Sequence, residues 1–333
     1  MRLGPTAGPR SRLVSSGLVS SATSVAPILV ALAALTQAPA FVSPYGIEIG
    51  FSLMIYATLA EAWNLLAGYG GLVSLGSSSF IGIGAYVLTG LLNHSGLPVP
   101  AALLVSGLAA GLLAAVVSPA VFRLRGLYFT VGTLALGEAS RLFMVNVPFF
   151  GGATGLFLED TPPPTELLYP YAVGLLALAT LVMSIATRTR FSILLRSVRD
   201  DEDAASQVGV RAFRVKLMAF TVASFLMGAA GGLQAYKLGA IEPYGIFGLQ
   251  WAVNILAIVI IGGLGQRLGA VVGTVFVVAL GELLADYPEL HIAMTGAILI
   301  IVIRFAPKGL CGLAGDLLGR WRTPRAGVAM APP

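Results

Sequence analysis

The chain has 333 residues, 57% of them hydrophobic and only 11% charged, with a mean hydropathy of +0.89 and a formal net charge of +5. Soluble domains carry about a quarter charged residues, and no water-soluble fold could hide so much apolar side chain under so thin a polar skin. A basic groove with interleaved aromatics is absent, which argues against nucleic-acid binding.

The apolar residues arrive in long blocks, and a membrane-spanning helix needs about 20 of them. Ten blocks qualify: 23–42, 47–67, 73–92, 99–122, 127–147, 168–187, 214–236, 248–263, 269–285 and 290–306. The expected fold is all-α, a polytopic integral membrane protein of about ten transmembrane helices with both termini cytoplasmic. It comprises a tail over 1–22, a membrane domain over 23–306 and a second tail over 307–333.

In chain order, the first block follows Arg2, Arg10 and Arg12 and ends at Ala38-Pro39-Ala40, a layout shared with cleavable signal peptides. Its length, and the spans that follow without needing a leader, favour a retained span. The second and third blocks are interrupted by Gly68, Gly70, Gly71 and Gly76 and by the run Ser77-Ser78-Ser79. Broken helices at membrane depth are tolerated only where the backbone is buried or lines a cavity. Their free N–H and C=O ends can then serve a polar solute. Gly71, Ser74, Gly76, Ser77, Ser78 and Ser79 are therefore candidates for lining a solute path. Close helix packing through small residues accounts for the same composition, and both readings stand.

Glu138, inside the fifth block, has Arg141 one helical turn away, so the two can pair within the membrane. A structural pair is favoured over a part in solute passage. Glu61 and Glu282 fall near span ends, within reach of water. The longest outer loop, 148–168, contains Gly151, Gly152, Gly155 and Pro162-Pro163-Pro164; it is either a solvated connector or a face for an extracytoplasmic partner.

The stretch 188–216 is too polar to cross a membrane, yet it has no proline, and Leu194, Leu195, Val198, Ala205 and Val208 recur at helical spacing. It predicts a short helix lying along the cytoplasmic surface, with an acidic block at 200–203 and Gly209 as its stop. Resting on anionic lipid suits its arginines; docking into a soluble partner suits its acidic block, which lipid would repel. Further on, Gly262, Gly263, Gly265 and Gly269 interrupt the eighth and ninth blocks and hint at an internal repeat of the first interruption. The single cysteine, Cys311, excludes an internal disulfide. His94 and His291 lie far apart, and neither a metal site nor a nucleophile–base arrangement is visible.

Orientation follows from the basic residues. With the N-terminus cytoplasmic and all ten blocks crossing, all but two of the 20 Lys and Arg fall on the cytoplasmic side, the exceptions being Lys237 and Arg141. The outer loops instead carry Glu159, Asp160, Glu166, Glu242, Asp286 and Glu289.

Asp203-Ala204-Ala205, three residues, then Gly209 resembles the EAA-three-residues-G motif of ABC importer permeases, with Asp in place of Glu. NLLAGYGGLVSLGSSSFIGIGAYV (Asn64–Val87), RLRGLYFTVGTLALGEASRLF (Arg123–Phe143), IIGGLGQRLGAVVG (Ile260–Gly273) and the closing RFAPKGLCGL are all similar to the branched-chain amino acid permease family. The RGLYF block points to its LivM-type subunit. The resemblance implies that 188–213 is a coupling-helix loop in which Asp203, Ala204, Ala205 and Gly209 dock to an ATPase subunit. It further implies a second, LivH-type permease, two ATPase subunits that hold ATP and Mg, and an extracytoplasmic solute-binding protein, all at the cell inner membrane. Branched-chain amino acids, or related small polar solutes, would be the cargo. This chain would bind no cofactor and do no chemistry itself, and it has no GxxxxGK[ST] loop. Glu61 departs from the family, where that position is usually apolar. The rival reading is an ion-gradient-driven transporter or channel, which needs intramembrane acids, Glu138 being the deepest; a membrane-embedded enzyme would need clustered His, Asp or Glu.

Overall fold

The computed structural model describes residues 35–37, 39, 42–285, 287–306 and 309–313, without the side chains of 288–293. The predicted tail 1–22, nearly all of the first predicted span and most of the tail 307–333 lie outside these residues. Twelve α-helices follow: α1 (Pro44–Asn64), α2 (Ser77–Ser95), α3 (Val99–Val121), α4 (Leu127–Asn146), α5 (Thr165–Arg188), α6 (Arg190–Asp200), α7 (Glu202–Gln207), α8 (Ala212–Leu238), α9 (Pro243–Ile246), α10 (Leu249–Gly262), α11 (Gly269–Leu283) and α12 (Pro288–Phe305). Each predicted block from 47–67 to 290–306 falls on a helix. Proline supplies several of the starts, because the first helical N–H has no intrahelical acceptor to lose. Pro44 opens α1, where the Ser43 hydroxyl accepts from Gly46 N, and Pro288 opens α12.

Among the described residues, six helices are long and apolar enough to cross a membrane: Pro44–Tyr69, Val99–Val121, Thr165–Arg188, Ala212–Leu238, Pro243–Gly262 and Met294–Leu313. The remaining predicted spans fall short for separate reasons. α11 has 15 residues, about 22 Å of helix against a hydrocarbon core of about 30 Å. α4 carries Glu138 and Arg141, and the first four residues of the third block, 73–76, run outside any helix before α2 begins on its three serines.

The two ends of the bundle differ in charge. At one end Arg125, Arg196, Arg199 and Arg267 converge on the α3–α4 loop, on α6 and on the close of α1. At the other, Lys237 pairs with Glu48, Tyr45 donates to Glu282, and Asn93 binds the backbone of Phe157 and Glu159. There a two-stranded antiparallel ladder, β1 (Leu156–Phe157) with β2 (Ala240–Ile241), ties the longest loop to the end of α8.

The core is a three-helix contact of α2, α3 and α8, and glycine makes it possible. A Cβ on Gly84 would overlap the Gly228 carbonyl, and one on Gly231 would overlap the Ile81 carbonyl. In lipid, where burial of apolar surface drives little, helices gain from this close backbone approach. Phe80 and Phe220 pack edge to face beside it, centroids 5.2 Å apart. On the opposite side of α3, Leu104, Leu108, Leu112 and Val116 are all exposed at four-residue spacing, an apolar stripe made for lipid.

Overpacking a close contact costs about 1–3 kcal/mol, sometimes more. Gly84→Val is expected to lower the melting temperature of the detergent-purified protein by several degrees. Gly90→Val, where nothing lies within 4 Å of the new side chain, should leave it nearly unchanged.

Candidate functional site

The polar stretch after α5 folds as two helices rather than the single one its periodicity predicts. Asp201 is the reason: its backbone is extended (φ −158°, ψ 108°), and its Oδ1 accepts from Asp203 N and Ala204 N at 3.0 and 2.9 Å, capping α7 anew. The break shifts the register, so Leu195, Val198 and Ala205 are buried while Leu194 is partly exposed and Val208 is 81% exposed. α7 ends at Gln207, and Gly209 then takes a left-handed conformation (φ +90°) with open space around its α-carbon.

α7 is held from two sides. Asp203 accepts both guanidinium nitrogens of Arg125, at 3.0 and 3.1 Å, and this hydrogen-bonded cation holds the Asp203 carboxyl below the usual carboxylate range. The tie is therefore present above the ordinary carboxylate pKa and is lost only as pH falls through the lowered one. Glu202 binds Lys216 at 2.7 Å, and Lys216, nearly buried on α8, also lies 5.3 Å from the Phe122 ring centroid. Ala204 and Gly209 face outward.

The first glycine interruption is a junction. α1 ends in a π-helical turn, Leu65–Tyr69, the chain turns at Gly71 (φ +67°) against the Arg199 side chain, and residues 71–76 run outside any helix before α2. This non-helical backbone is satisfied by side chains. Trp63 Nε1 donates to Ser74 O at 2.8 Å, Thr130 Oγ1 to Val73 O at 2.8 Å, and Leu75 N donates to Thr133 Oγ1 at 3.1 Å. The second interruption meets the first: Gly265 packs on Gly68, Asn64 Nδ2 donates to Gln266 O at 3.0 Å, and Gly265 N donates to Asn64 Oδ1 at 2.8 Å. Arg199 of α6 donates to Gly68 O at 2.9 Å. The repeat suspected from glycine spacing is thus a contact.

Ser74, Gly76, Ser77, Ser78 and Ser79 are all buried, enclosed by protein. Gly76 lies against Thr133 of α4 and Ser78 beside Gly137, while the hydroxyls of Ser77 and Ser79 have no partner among the described residues. Glu138 and Arg141 do pair, with Glu138 half-exposed on α4 and Arg141 stacked 4.6 Å from the Tyr244 ring centroid. Glu61 is a correction. Expected near water, it is 4% exposed, one oxygen accepting from Thr180 at 3.1 Å and the other without a partner among the described residues; α1 runs on past it as a π-helical turn, which buries the residue against α5. Trp63, Asn64, Arg125 and Arg199 were not singled out from the sequence, although Thr130 and Thr133, three apart on one span, carried a signal.

These features define a multi-pass helical membrane protein built around a broken-helix junction. The family described as "Branched-chain amino acid transport system / permease component" matches residues 47–303, and the chain belongs to it. It is 29% identical to the high-affinity branched-chain amino acid transport system permease protein LivM of Escherichia coli (strain K12), over 85% of this chain and 74% of that protein. The LivM protein of Salmonella typhimurium gives the same values. The autoinducer 2 import system permease protein LsrC of Escherichia coli (strain K12 / DH10B) is 26% identical, over 91% of this chain and 94% of LsrC. No solved structure matches.

Removing one partner of a buried hydrogen bond costs about 1–3 kcal/mol for each group left unpaired. Asn64→Ala removes the acceptor of Gly265 N–H and the donor to Gln266 C=O. It is expected to lower thermal stability in detergent well beyond Ser140→Ala, whose hydroxyl bonds only within its own helix; equal melting temperatures would mean that the junction holds without Asn64.

Proposed function

We propose that this chain is the LivM-type permease subunit of an ABC importer that moves branched-chain amino acids, or related small polar solutes, across the cytoplasmic membrane. The observation that carries this reading is α7, an exposed motif helix tied at one bundle end to the α3–α4 loop through Arg125 and to α8 through Lys216. Family membership and the likeness to LivM support the same reading; the likeness to LsrC, an autoinducer 2 import permease, keeps the solute class open.

In this reading the arginine-rich end faces the cytoplasm, as basic residues do. ATP and Mg sit on two separate ATPase subunits. A LivH-type permease completes the membrane part, and an extracytoplasmic binding protein delivers solute at the acidic end. Closure of the ATPase subunits displaces α7, and the displacement passes through Arg125 to α4, through Lys216 to α8, and through α6 and Arg199 to the junction at Gly68. Opening the junction exchanges outward for inward access. Ser77 and Ser79, in the first turn of α2, whose hydroxyls lack partners among the described residues, are then available to the passing solute. Glu138 is already paired with Arg141, which favours this reading over an ion-coupled carrier.

Pull-down of the tagged chain from membranes tests it. Two ATPase chains and a second permease are expected with the intact chain and should be lost with Asp203→Arg/Gly209→Arg, while membrane insertion is kept. Arg125→Ala is expected to retain the partners but lower ATP-driven uptake several-fold, since it cuts transmission and leaves the motif in place. A chain that purifies alone yet still moves solute would sink the ABC reading.

A further inference from the structure

One face of the bundle is polar where a lipid-facing surface would not be. On α10 the exposed Gln250 donates to Asn254 Oδ1 at 2.9 Å, and nearby Tyr45 at the start of α1 donates to Glu282 of α11. α9 and α10 together form one of the helices long and apolar enough to span the membrane. Amide and carboxylate groups on the lipid side of such a span are expensive. The apolar stripe of α3 shows what this chain places against lipid. The α1–α10–α11 face therefore meets water, solute or protein.

Between these three helices lies a cavity of about 190 Å³. Its lining changes with depth. Ser52 and Tyr56 of α1, Asn254 of α10 and Glu282 of α11 supply hydroxyl, amide and carboxylate groups. Ile258 and Val277, one turn or more closer to the arginine-rich end on their helices, supply aliphatic surface. Tyr56 is fixed by stacking on Trp251, centroids 5.7 Å apart and planes 29° apart, and the Asn254 side chain reaches its hydroxyl. Glu282 has no cationic partner among the described residues. A few convergent polar groups on an otherwise apolar concavity are the usual make-up of a small-molecule site.

We infer that this cavity is a solute site for a small aliphatic amino acid. The ammonium group pairs with Glu282, the carboxylate takes the donors Ser52, Tyr56 and Asn254, and the side chain lies on Ile258 and Val277. The inference rests on the transport reading above and adds to it a place in the fold and the groups that hold each end of the solute. The site is also wired to the junction. α10 and α11 are joined by the loop that Asn64 of α1 holds, so an occupant that spreads the three helices pulls on the backbone that α6 contacts.

The test uses the full complex in proteoliposomes, with ATP-driven uptake of radiolabelled L-leucine, 4-methylpentanoate and isobutyramide. The intact complex is expected to take up leucine and neither analogue. Glu282→Gln should lower the rate at saturating leucine at least tenfold while co-purifying with its partners, Glu282→Asp should recover part of it, and Val277→Trp should block uptake by filling the cavity. A Glu282→Gln complex at the intact rate, or isobutyramide moved as fast as leucine, overturns the site and leaves the transport reading standing. An intact complex that moves none of the three overturns the site, while the transport reading stands or falls by the pull-down above. Should Glu282→Gln fail to assemble, Glu282→Asp and Asn254→Ala carry the same test, and intact rates in both overturn the site.

Discussion

The Asn64 side chain is the constraint on which the rest of the arrangement depends. A chain in lipid cannot leave backbone N–H or C=O groups without partners, yet this chain breaks two of its helical segments at one bundle end. Asn64 turns both ends of its amide to the other break, the nitrogen donating to Gln266 O and the oxygen accepting from Gly265 N. Arg199 then satisfies Gly68 from the α6 side. Each interruption is tolerated because the other, with a polar side chain between them, closes it. The same logic holds above the junction, where Thr130, Thr133 and Trp63 take the backbone groups of 73–75. The non-helical segment thereby becomes a part of α4 as much as of α2.

The exposed motif is built on weaker forces. Surface ion pairs contribute little to stability, so the Asp203–Arg125 pair does not hold the fold together; it fixes where α7 points. The contact of α7 with α8 is of another kind, because Lys216 is nearly buried and must keep Glu202 as a partner. α7 is thus firmly seated on one side and adjustable on the other. That asymmetry suits an element which, in the proposed assembly, has to be pushed. Gly209 serves the same end: its left-handed backbone turns the chain sharply into α8 without a side chain in the way.

Much of the fold was legible in the sequence, since hydropathy places a helix wherever about 20 apolar residues run together. Arg125, Arg196, Arg199 and Arg267, which the sequence puts on one side of the predicted spans, gather at one end of the bundle. What could not be read were the long-range pairings. Nothing in the spacing of Gly68 and Gly265 says that they touch, because packing across nearly 200 residues leaves no local pattern. The single helix expected over 188–216 failed for a local reason: periodicity saw the apolar residues, but the N-capping power of Asp201 outweighed continuity. For the serines 77–79 the glycine break marked the position, but the residues that close round them, Thr133 and Gly137 of α4, are distant in sequence and left no local pattern. Glu61 escaped for a related reason, since only the continuation of α1 past Asn64 shows that position to be interior.

The bundle also has faces that cannot share one environment. The outward side of α3 offers Leu104, Leu108, Leu112 and Val116, whereas α10 offers Gln250 and Asn254 beside Glu282. If both met lipid, the second would pay a desolvation cost that the Gln250–Asn254 and Tyr45–Glu282 hydrogen bonds offset only in part. Glu61 shows the alternative the protein uses when a carboxyl stays at depth without water: it is packed out of reach between α1 and α5, with Thr180 as its donor. Glu282 is not packed away. A carboxylate left reachable beside donors and above aliphatic side chains is in the wrong place for stability and in the right place for a charged solute. Because α1 borders the cavity at one end and carries Asn64 at the other, occupancy and the state of the junction are two properties of the same helix.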